Sequence, residues 1–197
     1  LRTVLMRYLR DHEDPEIADA VDSLKKALLR LESAADVGGI QGIEGYASTL
    51  YYGAFRKLLR RDLGFKTRRR RPPPDPVNSL LSFGYTLLVY DIQASIRIVG
   101  LDPFLGFLHS TEYSKPSLAL DIMEEFRPIV VDSVVLRLVN THALTERDFE
   151  PVAERGSMVR LKQEAMKLFL KQYEGRVQTR VIHPLTKARV SYRQCFQ

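Results

Sequence analysis

The sequence predicts a mostly α-helical fold, a multi-helix domain that closes on a short C-terminal β-hairpin. Three observations carry that expectation. Apolar residues recur at intervals of three and four along most of the chain, the sign of a buried helical stripe. Acidic cap residues stand directly before proline at Asp14-Pro15 and Asp75-Pro76, where proline's fixed φ and missing N–H suit the first helical turn. β-branched residues interleaved with turn residues gather in the tail, from Val177 to Tyr192.

The elements follow in order. After Asp14-Pro15, Ile17, Val21, Leu24, Leu28 and Leu31 recur at spacings of 4, 3, 4 and 3, one face of a helix expected to end near Gly38-Gly39. Ile43, Ala47, Leu50, Ala54 and Leu58 repeat the pattern in a second helix, expected to stop near Leu63-Gly64. Lys66–Val77 runs through four arginines into Pro72-Pro73-Pro74, which lack backbone donors, so a basic, extended loop is expected. Asp75-Pro76 opens a third, mostly buried helix bearing Leu80, Leu81, Tyr85, Leu88, Ile92, Ile96 and Val99, ended by Gly100. Residues 101–115, with Pro103, Gly106 and His109, read as irregular. Pro116 opens a long helical stretch to about Asn140, kinked at Pro128 where a backbone donor is missing. A last helix is expected from about Met158 to Tyr173, ahead of the hairpin.

A chain of 197 residues that is 45% hydrophobic can enclose a real core, which excludes a disulfide-held miniprotein and a disordered tail. The lone Cys195 cannot form an internal disulfide, and no apolar run approaches the roughly 20 residues that span a bilayer. Arg2, Arg7 and Arg10 interrupt the opening residues, unlike a cleaved leader. The expectation is a soluble, cytoplasmic chain, residues 1–197 forming one domain. Because residue 1 is Leu, the chain reads as a piece of a longer protein or a trimmed form. Neither an internal repeat nor a glycine-rich phosphate-binding or dinucleotide motif is present.

Charge is segregated along the chain. The total is only +6, yet Arg56–Arg71 carries nine Lys/Arg against the single acid Asp62, and Arg160–Arg193 carries nine against Glu164 and Glu174. Residues 76–159 between them hold six Lys/Arg against eleven Asp/Glu. Two positive blocks around a carboxylate-rich centre suit a polyanion held at the flanks and processed in the middle; charged, solvated helix faces give the same counts.

Asp121 and Glu124 lie three apart, so on a helix both carboxylates project from one side, among the core-like Leu120, Met123 and Phe126. Acids at close quarters repel unless a cation or proton intervenes, which points to a divalent metal; a solvated helix face is the alternative. His109, in Gly106-Phe107-Leu108-His109, is either a metal ligand or a packed imidazole. Glu44 stands between Gly42 and Gly45 in the first turns of a helix. It serves the helix dipole there, or the glycines leave room for something to approach the backbone. His12, His142 and His183 are expected to be structural or exposed, although His183 sits in the second basic block.

Four ordered strings then identify a resemblance. Ile43-Glu44-Gly45-Tyr46-Ala47 with Tyr51-Tyr52, the run from Asp75 to Tyr85, Gly106-Phe107-Leu108-His109, and the run from Pro116 to Pro128 resemble the Cas-one family. Leu144–Phe149 and His183-Pro184 follow in the family's order. This is the CRISPR-associated, metal-dependent DNA endonuclease and integrase of spacer acquisition. The resemblance implies a helical catalytic domain whose metal, Mn²⁺ or Mg²⁺, is held by Glu44, His109 and Glu124, with Asp121 beside it as a further catalytic acid. It implies phosphoryl transfer with water or a DNA 3′-hydroxyl as nucleophile, double-stranded DNA as substrate, a homodimer, and the small Cas-two protein as partner. Arg56, Arg60, Arg68, Arg69, Arg70 and Arg71 are the expected contacts to the DNA backbone. The family's β-rich N-terminal domain has no counterpart in these residues. A rival expectation, a non-catalytic helical nucleic-acid-binding or scaffold protein, would have the same acids cap and solubilise helices.

Overall fold

The structure, a computed structural model, describes residues 1–109, 114–152 and 158–196. Helices dominate it in the order α1 (Arg2–Tyr8), α2 (Pro15–Leu31), α3 (Val37–Leu58), α4 (Pro76–Ile98) and α5 (Ser117–Arg127). A π-helical turn, Pro128–Asp132, joins α5 to α6 (Ser133–Asn140). Two short strands, β1 (Phe149–Pro151) and β2 (Val159–Leu161), precede α7 (Gln163–Val177). The chain then forms β3 (Arg180–Ile182), β4 (Arg189–Ser191) and α8 (Tyr192–Cys195). Both strand pairs are antiparallel, with Glu150 opposite Arg160 and Val181 opposite Val190. The mostly helical class and the C-terminal hairpin are those expected. Among the described residues no helix is long and apolar enough to cross a membrane.

Capping explains most of the boundaries. Asp14 accepts from the amides of Glu16 and Ile17, and Asp75 from that of Asn78, so both Asp-Pro pairs start helices. Gly38-Gly39, expected to end α2, instead lies in the first turn of α3. The cause is Asp36, whose carboxylate accepts the Gly39 amide at 2.7 Å and begins a new helix. At the far end α3 stops at Leu58, short of Leu63-Gly64, because Asn140 caps it from a distance. Its amide donates to the Leu58 carbonyl at 2.8 Å, and its oxygen accepts the Arg60 N–H at 2.9 Å. The helix expected from Met158 begins only at Gln163, since Val159–Leu161 pair with Phe149–Pro151.

Helix α4 is the centre of the core. Leu80, Leu81, Leu88, Ile92 and Ile96 are fully buried on it, each contributing roughly 1.5–3 kcal/mol. It packs against α5, the π turn and β2. Gly84 makes one of these contacts close: a Cβ there would stand 2.4 Å from Val131 Cγ1 and 2.9 Å from Phe169. The kink expected at Pro128 is realised as the π turn, which carries the helical path from α5 into α6 without the proline's missing donor breaking it.

Candidate active site

Of the segment expected to be irregular, residues 110–113 lie outside the described residues, and Phe107–His109 are wrapped around one carboxylate. Asp121 Oδ2 accepts the amides of Phe107 at 2.6 Å and Leu108 at 3.0 Å. Its Oδ1 accepts both the amide of His109 at 3.0 Å and the His109 ring Nδ1 at 2.7 Å. An ionised carboxylate can only accept, so Nδ1 donates to it, and in the neutral ring that places the lone pair on Nε2. Burial pulls the Asp121 carboxyl upward, but the Leu108 amide, the His109 ring and the Phe107 and His109 amides outweigh it and hold it below its ordinary value. Gly106 makes the wrap possible: a Cβ there would meet Ser117 Cβ at 2.6 Å and the Ser117 backbone at 2.8 Å. The Pro103 carbonyl also accepts the Leu118 amide at 3.0 Å, seating the segment on the start of α5.

Helix α3 is fastened to the same region at two points. Gln41 Nε2 donates to the Leu108 carbonyl at 2.6 Å, and Arg127 donates from α5 to the Tyr52 hydroxyl at 3.2 Å. Glu44, Ser48 and Tyr52 recur at every fourth residue and share one face of α3; Asp121, Glu124 and Arg127 recur at every third and share one face of α5. Glu44 therefore lies on α3 between the fastenings at Gln41 and Tyr52, and Glu124 on α5 between Asp121 and Arg127. Ser48 donates to Glu44 Oε1 at 2.9 Å. Around Gly42 and Gly45, which flank Glu44, no described atom beyond their chain neighbours and the helix's own backbone comes within 4 Å of the place a Cβ would take. The close approach that these glycines permit is thus not made by the described part of the chain itself.

Glu124 heads a buried polar chain. Arg127 donates to its Oε1 at 2.5 Å and lies 4.6 Å from the centre of the Tyr85 ring. The Tyr52 and Tyr85 hydroxyls are hydrogen-bonded at 2.7 Å, and Tyr85 and Tyr51 both donate to the fully buried Asp132. Burial and the Asp132 charge push both phenols well above their ordinary range, so they remain neutral donors. Sequence reasoning assigns none of these five residues a role at the site. One signal is available: Asp132 is the lone acid in Ile129-Val130-Val131-Asp132-Ser133-Val134-Val135, where a buried charge demands partners.

The basic residues divide into two sets. Arg56 and Arg60 are exposed beside a groove of about 340 Å³ that Arg61 and Lys66 also line. Arg69, Arg70 and Arg71 are exposed as well. Arg68 instead turns inward, donating to Asn78 Oδ1 at 2.9 Å and Ser82 Oγ at 3.1 Å and lying 5.3 Å from the Tyr85 ring centre. His12 stacks on Tyr8, His142 follows α6 with φ of 59°, and His183 Nδ1 accepts the amides of Leu185 and Thr186 within the β3–β4 turn. Among the described residues no three His, Cys, Asp or Glu side chains are already gathered as a metal cage.

Residues 1–175 match the family model described as CRISPR associated protein Cas1. The chain belongs to the Cas1 family. A CRISPR-associated endonuclease Cas1 of Thermus thermophilus is 46% identical over 177 residues, 90% of this chain and 52% of the relative. Among solved structures, the partial Cas6-RT-Cas1–Cas2 complex superposes with a TM-score of 0.85 at 27% identity, over 100% of this chain and 58% of that one. A casposase bound to integration product superposes with a TM-score of 0.79 at 26% identity, over 98% of this chain and 51% of that one. The chain spans about half the length of the curated relatives it matches.

Proposed function

We propose that these residues form the catalytic part of a CRISPR-associated nuclease and integrase that breaks and joins DNA phosphodiesters with a divalent metal ion. One observation carries the reading: Asp121 holds His109 through Nδ1 and three successive amides, and Nε2 has no hydrogen-bond partner among the described residues. A carboxylate on the second ring nitrogen is the usual support of a metal-binding histidine. Two carboxylates with one imidazole also suit Mn²⁺ or Mg²⁺, so Glu44, His109 and Glu124 would hold the ion. When bound, the ion supplies charge that polarises the scissile phosphate.

The chain's own residues do the rest. Asp121 already accepts four hydrogen bonds and its carboxyl is held below the ordinary range, so it positions His109 and is a poor proton acceptor for the nucleophile. Arg127 fixes the direction of Glu124. The nucleophile is water in cleavage and a DNA 3′-hydroxyl in integration. Arg56, Arg60, Arg69, Arg70 and Arg71 take backbone phosphates of double-stranded DNA, while Arg68 is occupied within the fold. The relatives' printed names support both halves of the reaction, an endonuclease and a casposase bound to integration product, and one names a complex with Cas2. A Cas2 protein and a second copy of this chain are accordingly its partners.

The test is metal-dependent DNA cleavage by the full-length protein. Glu44→Ala, His109→Ala and Glu124→Ala each abolish Mn²⁺-dependent cleavage while DNA binding persists. Wild-type cleavage by His109→Ala overturns the ligand set. DNA binding without any chelator-sensitive cleavage in the parent protein establishes the non-catalytic binding role instead.

A further inference from the structure

The last turns of three helices bring arginines to one cavity. Arg7 ends α1, Arg137 ends α6 and Arg176 ends α7, and all three line a cavity of about 270 Å³ together with Ser133, Gln172 and Thr179. Among the described residues no carboxylate lines it, and none of the three guanidiniums has an ion pair. Elsewhere Arg127 pairs with Glu124, Arg160 with Glu150, and Arg193 with Asp91 and Glu174.

The Arg176 guanidinium is held in place before any ligand arrives. Its Nε donates to the Ile129 carbonyl at 2.7 Å and its Cζ lies 5.0 Å from the Tyr192 ring centre, and among the described residues its two terminal nitrogens have no acceptor. Burial draws this guanidinium down from its ordinary range, the Tyr192 phenol opposes that, and the neighbouring Arg7 charge adds to it. An arginine in a last turn complements the helix dipole. That accounts for each residue singly, but not for three cations facing one cavity with no anion beside them. Like charges so gathered repel, and an anion carrying several acceptor oxygens relieves the repulsion.

We propose that this cavity is a phosphate-binding site, separate from the carboxylate–histidine site and sharing no residue with it. Its ligand is a phosphate group, borne either by a nucleic-acid backbone or by a free phosphate. The guanidinium forks match phosphate oxygens, and the Gln172 amide adds a neutral donor, while the Ser133 and Thr179 hydroxyls already donate to the Ile129 and Gly175 carbonyls.

Two exposed arginines allow a test that leaves Arg176 and its packing on Tyr192 intact. The full-length protein and its Arg7→Gln/Arg137→Gln variant are melted in inorganic phosphate and in chloride at equal ionic strength. Phosphate raises the midpoint of the parent in a saturable way, and the variant loses that rise. An absent rise in the parent, or an equal rise in both proteins, overturns the site. Binding to a short DNA duplex across a salt series identifies the source of the phosphate. If the backbone supplies it, the slope of log affinity against log salt falls by about 0.9 for each phosphate that the variant no longer neutralises. A lost midpoint shift with an unchanged slope assigns the site to free phosphate. Neither readout involves strand cleavage, so failure of the catalytic reading and failure of this one are told apart.

Discussion

Asp121 holds His109 twice through the same oxygen, by its backbone amide at 3.0 Å and its ring Nδ1 at 2.7 Å. The double grip fixes ring orientation and tautomer together. Asp121→Asn keeps the size but substitutes a weaker acceptor that can also donate, so both tautomers become accessible. Mn²⁺ affinity and Mn²⁺-dependent cleavage by the full-length protein are expected to fall roughly 10–100-fold. Calorimetric titration with the metal and ring ¹⁵N shifts of His109 check this; an unchanged affinity removes Asp121 from the site's support.

Gly106→Ala tests the seating of the same segment. The added methyl stands 2.6 Å from Ser117 Cβ and 2.8 Å from the Ser117 backbone, so the segment must lift away from α5. Overpacking of this kind costs about 1–3 kcal/mol, readable as a shifted denaturation midpoint. Cleavage falls further than that cost implies, because lifting the segment pulls His109 from Asp121.

Arg127 is the hinge of the buried chain. Arg127→Met removes the donor to Glu124 and to the Tyr52 hydroxyl, and destabilises the fold by about 1.5–3 kcal/mol in urea unfolding. Tyr52→Phe removes only the hydroxyl and loses less, and the double variant is non-additive because both lie in one network.

Asp132 gives stability a pH dependence of definite sign. Burial raises its carboxyl above the ordinary 3.8, against the opposing hydrogen bonds of Tyr85 and Tyr51 and the Arg127 charge. Its contribution is therefore fully present below that ordinary value and is lost as pH rises through the raised folded value. The stability of the parent relative to Asp132→Asn is highest in acid and declines toward neutrality. Urea melts of both proteins across that range test it, and a gap that widens with pH contradicts the assignment.

Asn140→Ala removes the remote cap on α3. The Leu58 carbonyl and the Arg60 amide both lose their partner, and roughly 1–2 kcal/mol of stability goes with them. Hydrogen exchange at the end of α3 accelerates in that variant before the rest of the helix is affected.

Local chemistry is legible in the sequence and distant chemistry is not. Asp14-Pro15, Asp75-Pro76 and Pro116 announce helix starts through residues within a turn of the boundary, and those starts are where the structure has them. The end of α3 is set by Asn140, eighty-two residues from Leu58, so no local pattern encodes it. Asp36 has the chemistry of a cap, but the periodic run of α2 toward Gly38-Gly39 masks it. The residues of β2 read as helix because three residues carry no period of their own, and only β1 across from them decides the matter. At the site, the shared face of Asp121 and Glu124 follows from their spacing alone. The Arg127–Tyr52 and Tyr85–Asp132 contacts join separate elements and become visible only once those elements are packed.

Gly84 has a mechanical consequence. Through it the backbone of α4 is the common bearing for Val131, on the turn that continues α5, and for Phe169 on α7. A displacement of α5 that carries Glu124 must therefore press on the same point that seats α7 and Arg176. Movement at the Glu124 end of α5 has a short, stiff route toward α7, through a residue that has no side chain to absorb it.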